Sequence, residues 1–168
     1  MNEDQYINYF SQLAKSHTKL QHGVNGMKSF YYIEDEFSME EFDNALKNMR
    51  SSTCMLLVAE DGQLDDADSE NYSDHIDGSL YILGKVSDNG DNIRTVRAKC
   101  KPIIMQVVKK MRKDSRDRAI LPGKIIHFRI SNLPYQRVGP MNMEWYGYMV
   151  TFRFVCPFVN SVETGIWL

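Results

Sequence analysis

Apolar side chains alternate along the chain most clearly between Trp145 and Phe158. Successive side chains of a β-strand point to opposite faces, so every second residue shares a face. β-Branched and aromatic residues, which favour a pleated and half-buried surface, make up most of this segment. We therefore predict a long strand here that forms the spine of a sheet. Its apolar face would carry Tyr146, Tyr148, Val150, Phe152, Phe154, Cys156 and Phe158.

Three other segments place apolar residues at steps of three and four, the spacing of one face of a helix. They cover residues 3–21, residues 38–50 and residues 92–118. Pro102 lies inside the third segment. Because proline removes a backbone hydrogen bond and clashes with the preceding turn, we expect a kink or a break at residues 98–102.

The start of the second helix carries two sequence patterns of an N-terminus. Ser38 followed by Glu41 has the spacing of a capping box. Phe37 and Phe42 have the spacing of a hydrophobic staple. Both patterns predict that the helix begins directly after Ser38.

Short apolar or alternating segments predict the remaining strands. Residues 53–60 are apolar on both faces, which is typical of a central strand covered on both sides. We expect an antiparallel hairpin between 124–140 and the spine, turning at 141–144, with one of its strands at an edge of the sheet. Besides the spine, the predicted strands cover residues 29–34, 53–60, 79–86 and 124–130, the last with an irregular extension over 133–140.

This order of elements predicts an α+β fold. We expect a mixed, mostly antiparallel sheet of about four or five strands with helices packed mainly on one face. The chain has 168 residues, enough to bury a core without disulfides or metals, so residues 1–168 are most simply one domain. Within it we expect a core over 30–158, an acidic loop over 60–77 and a C-terminal tail over 159–168.

Composition narrows the class of protein further. The three cysteines are widely separated and form no CxxC pair, which indicates buried thiols in a reducing compartment. Residues 1–10 are polar and acidic, unlike a signal peptide. No apolar run approaches the ~20 residues that a membrane-spanning helix needs. We therefore expect no role in a membrane.

Charge is strongly segregated, although the net charge is only −2. Residues 60–77 contain eight acidic side chains and no Lys or Arg. Residues 94–118 contain ten basic side chains and two acidic ones. Segregation of this kind concerns partners and assembly rather than fold.

The acidic segment is also the best candidate for a metal site. Asp66, Asp68, Glu70, Asp74 and Asp77 fall at positions 1, 3, 5, 9 and 12 of a calcium-binding loop. The glycine that makes the sharp turn at position 6 is missing, and a shorter Asp replaces the final Glu, so a solvated acidic loop is favoured. The four histidines show no ligand spacing, and no phosphate-binding or nucleophile motif occurs. We therefore expect no metal, no cofactor and no enzymatic activity.

The basic helix 92–118 allows an alternative function, binding of nucleic-acid phosphates. A helix with one apolar face and one solvated basic face is the more common explanation of such a pattern. Aromatic residues that could stack on bases are not interleaved with the basic ones, which disfavours RNA or single strands.

Contacts between chains are expected at three places: the spine and its hairpin, the apolar C-terminal tail, and the oppositely charged loop and helix. An open strand edge must be covered, charged or paired. An apolar terminus either closes its own core or docks on a neighbour, and the sequence leaves both alternatives open. The candidate interface residues are Trp145, Arg153, Ile166, Trp167, Leu168, Asp65, Asp66, Asp68, Lys109, Lys110 and Arg112.

The order of elements resembles the tail-terminator and head-to-tail completion proteins of tailed phages over residues 30–158. The resemblance is carried by the apolar strand Cys54–Glu60, by the acidic loop, and by the strand Ser79–Val86 that leads directly into the helix to Met111. The closing Tyr-Gly-Tyr-Met-Val-Thr-Phe-Arg-Phe of residues 146–154 completes it.

The resemblance implies a structural virion protein. In that family a sheet is flanked by helices on one face, and copies join into a ring, often a hexamer. The ring caps the tail tube or joins it to the neck, so the implied partners are other copies and tail-tube or neck proteins, with DNA passing through the ring a further expectation. The implied place of the protein is the virion, assembled in the host cytoplasm.

Overall fold

A computed structural model describes residues 1–66, 72–86 and 92–158. These ranges form three α-helices and a seven-stranded, mostly antiparallel sheet, which confirms the α+β class with more strands than expected. The helices are α1 (Glu3–Ser16), α2 (Met39–Lys47) and α3 (Ile93–Arg116). The strands are β1 (Phe30–Ile33), β2 (Thr53–Val58), β3 (Asp61–Asp65), β4 (Ser73–Lys85), β5 (His127–Phe128), β6 (Tyr135–Met141) and β7 (Trp145–Pro157).

Two long strands, β4 and β7, form the centre of the sheet. They pair antiparallel along their whole length, from Ser73 opposite Pro157 to Lys85 opposite Trp145. On the outer side of β4 lie β2 and β3, and on the outer side of β7 lie β5 and β6. Strand β1 extends the sheet by parallel pairing with β2. The predicted spine is therefore confirmed, but it is a central strand, and β6 is the hairpin strand that lies at an edge.

The two faces of the sheet are covered unequally. On one face, α1 and α3 bury a core that includes Phe10, Phe152 and Phe154. The ring centroids of Phe10 and Phe152 lie 5.2 Å apart, and those of Phe152 and Phe154 lie 5.1 Å apart. On the other face, the short α2 covers only one end, where Phe42 and Leu46 pack in a smaller cluster. Helices thus pack mainly on one face, as predicted.

Strand β2 is buried on both sides, as its pattern predicted. Met55 and Leu57 belong to the core under α1 and α3, whereas Leu56 and Val58 belong to the cluster under α2. All three cysteines are free and buried within the described residues.

Two helices differ from their predicted bounds. Helix α1 ends at Ser16 rather than near residue 21, because His17 takes an extended conformation as C-cap. Helix α3 runs from Ile93 to Arg116 without the expected break at Pro102. Pro102 lies on the exposed side of the helix, where water can bond the carbonyl group that loses its N–H partner.

The start of α2 confirms Ser38 as the N-cap, but neither of the two predicted patterns is complete. The Ser38 side chain accepts a hydrogen bond from the backbone N–H of Glu41 at 3.2 Å. The Glu41 carboxylate, however, accepts from the backbone N–H groups of Glu34 and Asp35, so the capping box is not closed. Phe37 is 86% exposed, so the predicted hydrophobic staple does not form.

The acidic segment is largely strand rather than loop. β3 pairs antiparallel with the first part of β4, with Asp61 opposite Asp77 and Asp65 opposite Ser73. The prediction of a loop over 60–77 is therefore wrong for residues 61–65 and 73–77, and residues 67–71 lie outside the described ranges. β4 extends this far because β7 offers it a partner along its whole length.

The strand predicted at 124–130 is reduced to His127 and Phe128. Side chains of helix α3 also bind the backbone of Phe128. The Phe128 N–H donates to Ser115 Oγ at 2.9 Å, and its carbonyl accepts from Arg112 Nη1 at 2.7 Å. These bonds tie β5 to the helix rather than to a further strand.

Candidate assembly interface

The sheet face opposite α1 and α3 contains a cleft of about 620 Å³ beyond the part that α2 covers. Strands β4 and β7 form its floor, where Asp77 and Arg153 lie opposite each other. One wall is the segment from Val58 to Asp61, and the other is formed by residues 129 and 131–134. The cleft therefore spans the sheet between its two lateral edges.

A polar network crosses three strands on the floor of this cleft. Arg153 donates from Nε to Asp77 Oδ1 at 2.7 Å and from Nη2 to Asp77 Oδ2 at 2.6 Å. Its Nη1 lies 3.4 Å from His75 Nδ1. These bonds to Asp77 raise the pKa of Arg153 above its ordinary value. Arg153, a predicted interface residue, is therefore bound within its own chain while half of its side chain stays exposed.

The direction of the hydrogen bonds decides what His75 can do. A guanidinium group only donates, so the contact with Arg153 assigns His75 Nδ1 as acceptor, which corresponds to the tautomer with its proton on Nε2. His75 Nε2 then donates to Ser73 Oγ at 3.1 Å, and Ser73 Oγ donates to the Asp65 carbonyl at 3.3 Å. This is the opposite of the polarity by which a histidine base activates a serine nucleophile. The network holds strands together rather than preparing a nucleophile.

Trp145 does not lie on a surface, which corrects its prediction as an interface residue. It is 2% exposed and packs in the cluster under α2 with Leu83 and Leu46. The face of β7 that carries Trp145 is open at Arg153 but covered by α2 at this end, so position along the strand decides exposure.

The basic residues of α3 are largely engaged inside the chain. Lys110 pairs with the buried carboxylate of Asp114, which also accepts from the Tyr9 hydroxyl at 3.2 Å. Burial, and then the charge of Asp114, raise the pKa of Tyr9 well above its ordinary range. Arg112 binds the carbonyl of Phe128, whereas Lys109 is exposed. Of the three predicted interface residues on this helix, Lys110 and Arg112 therefore have internal roles.

The N-terminal half of α3 also uses its cations to hold β6. Arg97 Nη2 donates to the Val138 carbonyl at 3.2 Å, and its guanidinium carbon lies 5.6 Å from the ring centre of Tyr146. Lys101 Nζ lies 5.4 Å from the ring centre of Tyr135. Cations over aromatic rings are attracted to the ring face. These contacts fasten the edge strand to the helix.

The acidic candidates lie on β3 and just after it. Asp65 ends β3, and Asp66 follows it and is exposed. Four predicted interface residues, Asp68, Ile166, Trp167 and Leu168, lie outside the described ranges.

The calcium pattern receives no support from the part of it that is described. Asp74 and Asp77 are three residues apart on β4, so their side chains point to opposite faces of the sheet and cannot meet at one ion. Within residues 1–66, 72–86 and 92–158, no group of three or more His, Cys, Asp or Glu side chains is arranged to hold a metal ion.

Sequence reasoning missed the surface that lies opposite the acidic strand. Residues 118–143 contain four basic side chains and no Asp or Glu, and they include β5 and β6 at the lateral edge beside β7. β3, with its acidic side chains, lies at the other lateral edge, beside β4. The signal was present as a long stretch without acids, but only the strand order shows that it forms an edge. Its basic residues, all exposed, are Arg118, Lys124, Arg129 and Arg137.

Large apolar side chains are exposed near both lateral edges. Leu64 on β3 is 63% exposed, and Tyr135 on β6 is 47% exposed. Met143, in the turn between β6 and β7, is 90% exposed. Single exposed apolar residues are common on protein surfaces, but these lie beside strands that pair on one side only.

No helix in the described part of the chain has both the length and the apolar composition needed to cross a membrane. Neither a model of a known protein family nor a curated protein sequence matches the chain.

Proposed function

We propose that this chain is a structural virion protein of the tail-terminator or head-to-tail connector type of tailed phages. Copies assemble into a ring that caps the tail tube or joins it to the neck, and DNA passes through the ring. The partners are other copies of the chain and the neighbouring tail-tube or neck proteins. Assembly takes place in the host cytoplasm, and the protein remains in the virion.

The observation that carries this proposal is the state of the two lateral edges of the sheet. Among the described residues, β3 pairs only with β4, and β6 pairs only with β7. An open strand edge presents unpaired backbone N–H and C=O groups, which favour pairing with another chain. The exposed Leu64 and Tyr135 give each edge an apolar contact as well.

The two edges are different surfaces, and this difference favours a ring. A contact between two unlike surfaces is heterologous: each copy presents one surface to the copy before it and the other to the copy after it. Such contacts close into a ring when the rotation between copies permits, and otherwise they form open filaments. The unlike edges β3 and β6 therefore support the assembly that the resemblance implies.

Nucleic-acid binding through the basic helix is the weaker proposal. Affinity for phosphates depends on Lys and Arg side chains that are available to neutralise them. Lys110 and Arg112 are bound to Asp114 and to the Phe128 carbonyl within the chain, so the helix presents fewer available cations than its sequence indicates.

Negative-stain electron microscopy of the purified protein tests the proposal. We expect closed rings with rotational symmetry and a central opening. Single small particles, or open filaments alone, would argue against a ring protein. Titration with duplex DNA tests the alternative function, nucleic-acid binding. Tight binding by the monomer that weakens steeply with salt would favour a nucleic-acid-binding module.

A further inference from the structure

The acidic strand β3 lies at one lateral edge of the sheet, and β5 and β6, in the basic stretch 118–143, lie at the other. We call these the acidic edge and the basic edge. Across the end of the sheet, the strand order is β3, β4, β7 and β5. With neighbouring strands about 4.8 Å apart, β3 and β5 are separated by roughly 14 Å. A single chain therefore cannot bring its own two edges together, whereas two copies side by side can.

Each edge has a single sign of charge over the residues that the structure describes. Residues 60–66 and 72–77 contain Glu60, Asp61, Asp65, Asp66, Asp74 and Asp77 and no Lys or Arg. Residues 118–143, at the other edge, contain basic side chains and no acidic ones. Of the acids, Asp77 is paired with Arg153 in the cleft, and Asp61 lies opposite it on the outer strand. The Asp61 carboxylate is exposed, points to the same face as Asp77 at this edge, and is not part of the Arg153 pair.

We propose that copies of this chain associate with the acidic β3 edge of one copy against the basic β5–β6 edge of the next. This inference rests on the proposed ring function and names the two surfaces that form the contact between copies. Like edges repel and unlike edges attract, so the charges select the heterologous contact over a symmetric one between two identical edges.

The basic partner of the acidic segment is therefore the strand edge and not the helix α3. Lys110 and Arg112 are held by Asp114 and by the Phe128 carbonyl. Arg129 and Arg137 are exposed on the edge itself, directly after β5 and within β6. Arg137 lies on β6, which among the described residues pairs on one side only, so charge pairing and backbone pairing would act together there. At β5, where α3 binds the backbone of Phe128, Arg129 would contribute charge alone.

Charge reversal of each edge tests this inference. The acidic-edge variant carries Asp61→Lys and Asp66→Lys, and the basic-edge variant carries Arg129→Glu and Arg137→Glu. All four positions are at or next to strands β3, β5 and β6 and are exposed, so the fold should be retained. Lys15→Glu with Lys19→Glu, on and after α1, is the control with the same change in net charge as the basic-edge variant.

Light scattering on each protein after size-exclusion chromatography measures the association. We expect each edge variant alone to need at least about tenfold higher concentration to assemble, because the reversals lower the charge of the acidic edge from −6 to −2, or that of the basic edge from +4 to 0, over the described residues. An equal mixture of the two edge variants should assemble again, because the reversed positions of one variant then face the oppositely reversed positions of the other, and the two unchanged edges face each other. The control should assemble as the wild type does. Circular dichroism and a thermal melt on every variant confirm folding.

The outcomes separate the inference from the proposed function. If the wild type forms rings and both edge variants form them equally well, the contact lies elsewhere and the inference is wrong, while the ring function stands. The same conclusion holds if neither variant assembles and an equal mixture of the two does not assemble either. If the wild type itself stays monomeric at every concentration, the ring function fails, and the inference fails with it.

Discussion

Arg153 and Asp77 lie directly opposite each other on β7 and β4 and are joined by two parallel hydrogen bonds of 2.7 and 2.6 Å. The guanidinium fork matches the carboxylate in the bidentate geometry that gives the strongest pairs. Both side chains are nearly half exposed, at 47% and 44%, so water competes for each charge. The pair therefore joins the two central strands at the floor of the cleft but contributes little to the stability of the fold.

A double-mutant cycle measures how much the pair of Arg153 and Asp77 contributes to stability. With Asp77→Ala, Arg153→Ala and the double variant, we expect a coupling energy of about 0.5–1 kcal/mol, which falls at 1 M salt because exposed charges are screened. The pair Lys85–Glu144, of similar exposure, is the control and should couple less because it lacks the two-bond geometry. Urea unfolding of each variant gives the energies. A coupling above about 2 kcal/mol would show that the pair is effectively buried.

The apolar face of β7 carries the core, and its aromatic residues should dominate stability. Phe154 is fully buried among the rings of Phe10, Phe128 and Phe152. Phe154→Ala should lower the free energy of unfolding by about 3–5 kcal/mol, the range for truncation of a buried aromatic residue. Phe37→Ala is the matched control, because Phe37 is exposed, and it should change stability by less than about 0.5 kcal/mol. Equal effects of the two substitutions in urea unfolding would contradict the assigned facing of the strand.

Elements with a long and consistent pattern were predictable from the sequence, and elements set by their neighbours were not. Strand β7 and helix α3 repeat their periodicity over many residues. Strand β3 contains two Asp and one Gly, which are poor strand formers, and it forms because β4 offers it an open side. The strand predicted at 124–130 is limited to His127 and Phe128, and the backbone of Phe128 is also bound by Ser115 and Arg112 of α3. Bonds from a side chain of another element to backbone groups leave no local sequence signal.

Close approach of β4 to β7 requires a glycine at position 147. A Cβ atom there would lie 1.9 Å from the Ile82 carbonyl oxygen, which is a backbone atom and cannot move aside. Gly147→Ala should therefore destabilise the protein by at least about 2–3 kcal/mol, as overpacking does. Gly62→Ala on β3 is the control: its nearest neighbour would be 4.0 Å away, so we expect a change within about 0.5 kcal/mol. If Gly147→Ala melts within a degree or two of Gly62→Ala, strands β4 and β7 can move apart at Gly147.

Because its thiols are buried, the protein should lose stability as the pH becomes alkaline. Burial raises the pKa of Cys100 to about 12, and burial also raises the pKa of Cys54 and that of Cys156. In the unfolded chain these thiols ionise near pH 8.5–9, so above that pH the unfolded state releases protons that the folded state keeps. The free energy of unfolding should therefore be constant below about pH 8 and fall above pH 9, by up to about 1.4 kcal/mol per pH unit for each thiol.

Urea unfolding under reducing conditions at several pH values between 7 and 10 measures this slope. Cys100→Ala removes one of the three thiols and should make the slope above pH 9 shallower by up to about 1.4 kcal/mol per pH unit. A free energy of unfolding that stays flat to pH 10 in the wild type would show that the thiols are not held neutral in the folded state.

The charged residues of the candidate interface could be predicted from the sequence, but which of them are engaged inside the chain could not. The acids of residues 60–77 and the bases of α3 are evident in the sequence, and so is the stretch without acids at 118–143. Only the tertiary structure shows that Lys110 and Arg112 are engaged internally, that Trp145 is core, and that the basic stretch forms a sheet edge. Exposure depends on which element covers a residue, and that element is distant in the sequence.

The central claim is that the open and oppositely charged edges drive assembly, and light scattering of the wild-type protein across concentration and salt tests it most directly. At low salt we predict one discrete mass that is an integer multiple of the 19.5 kDa chain and that does not grow with concentration, as a closed ring requires. Raising the salt should shift the midpoint of assembly to higher concentration, because screening weakens the contact between the edges. A mass of 19.5 kDa at every concentration and salt would contradict the claim.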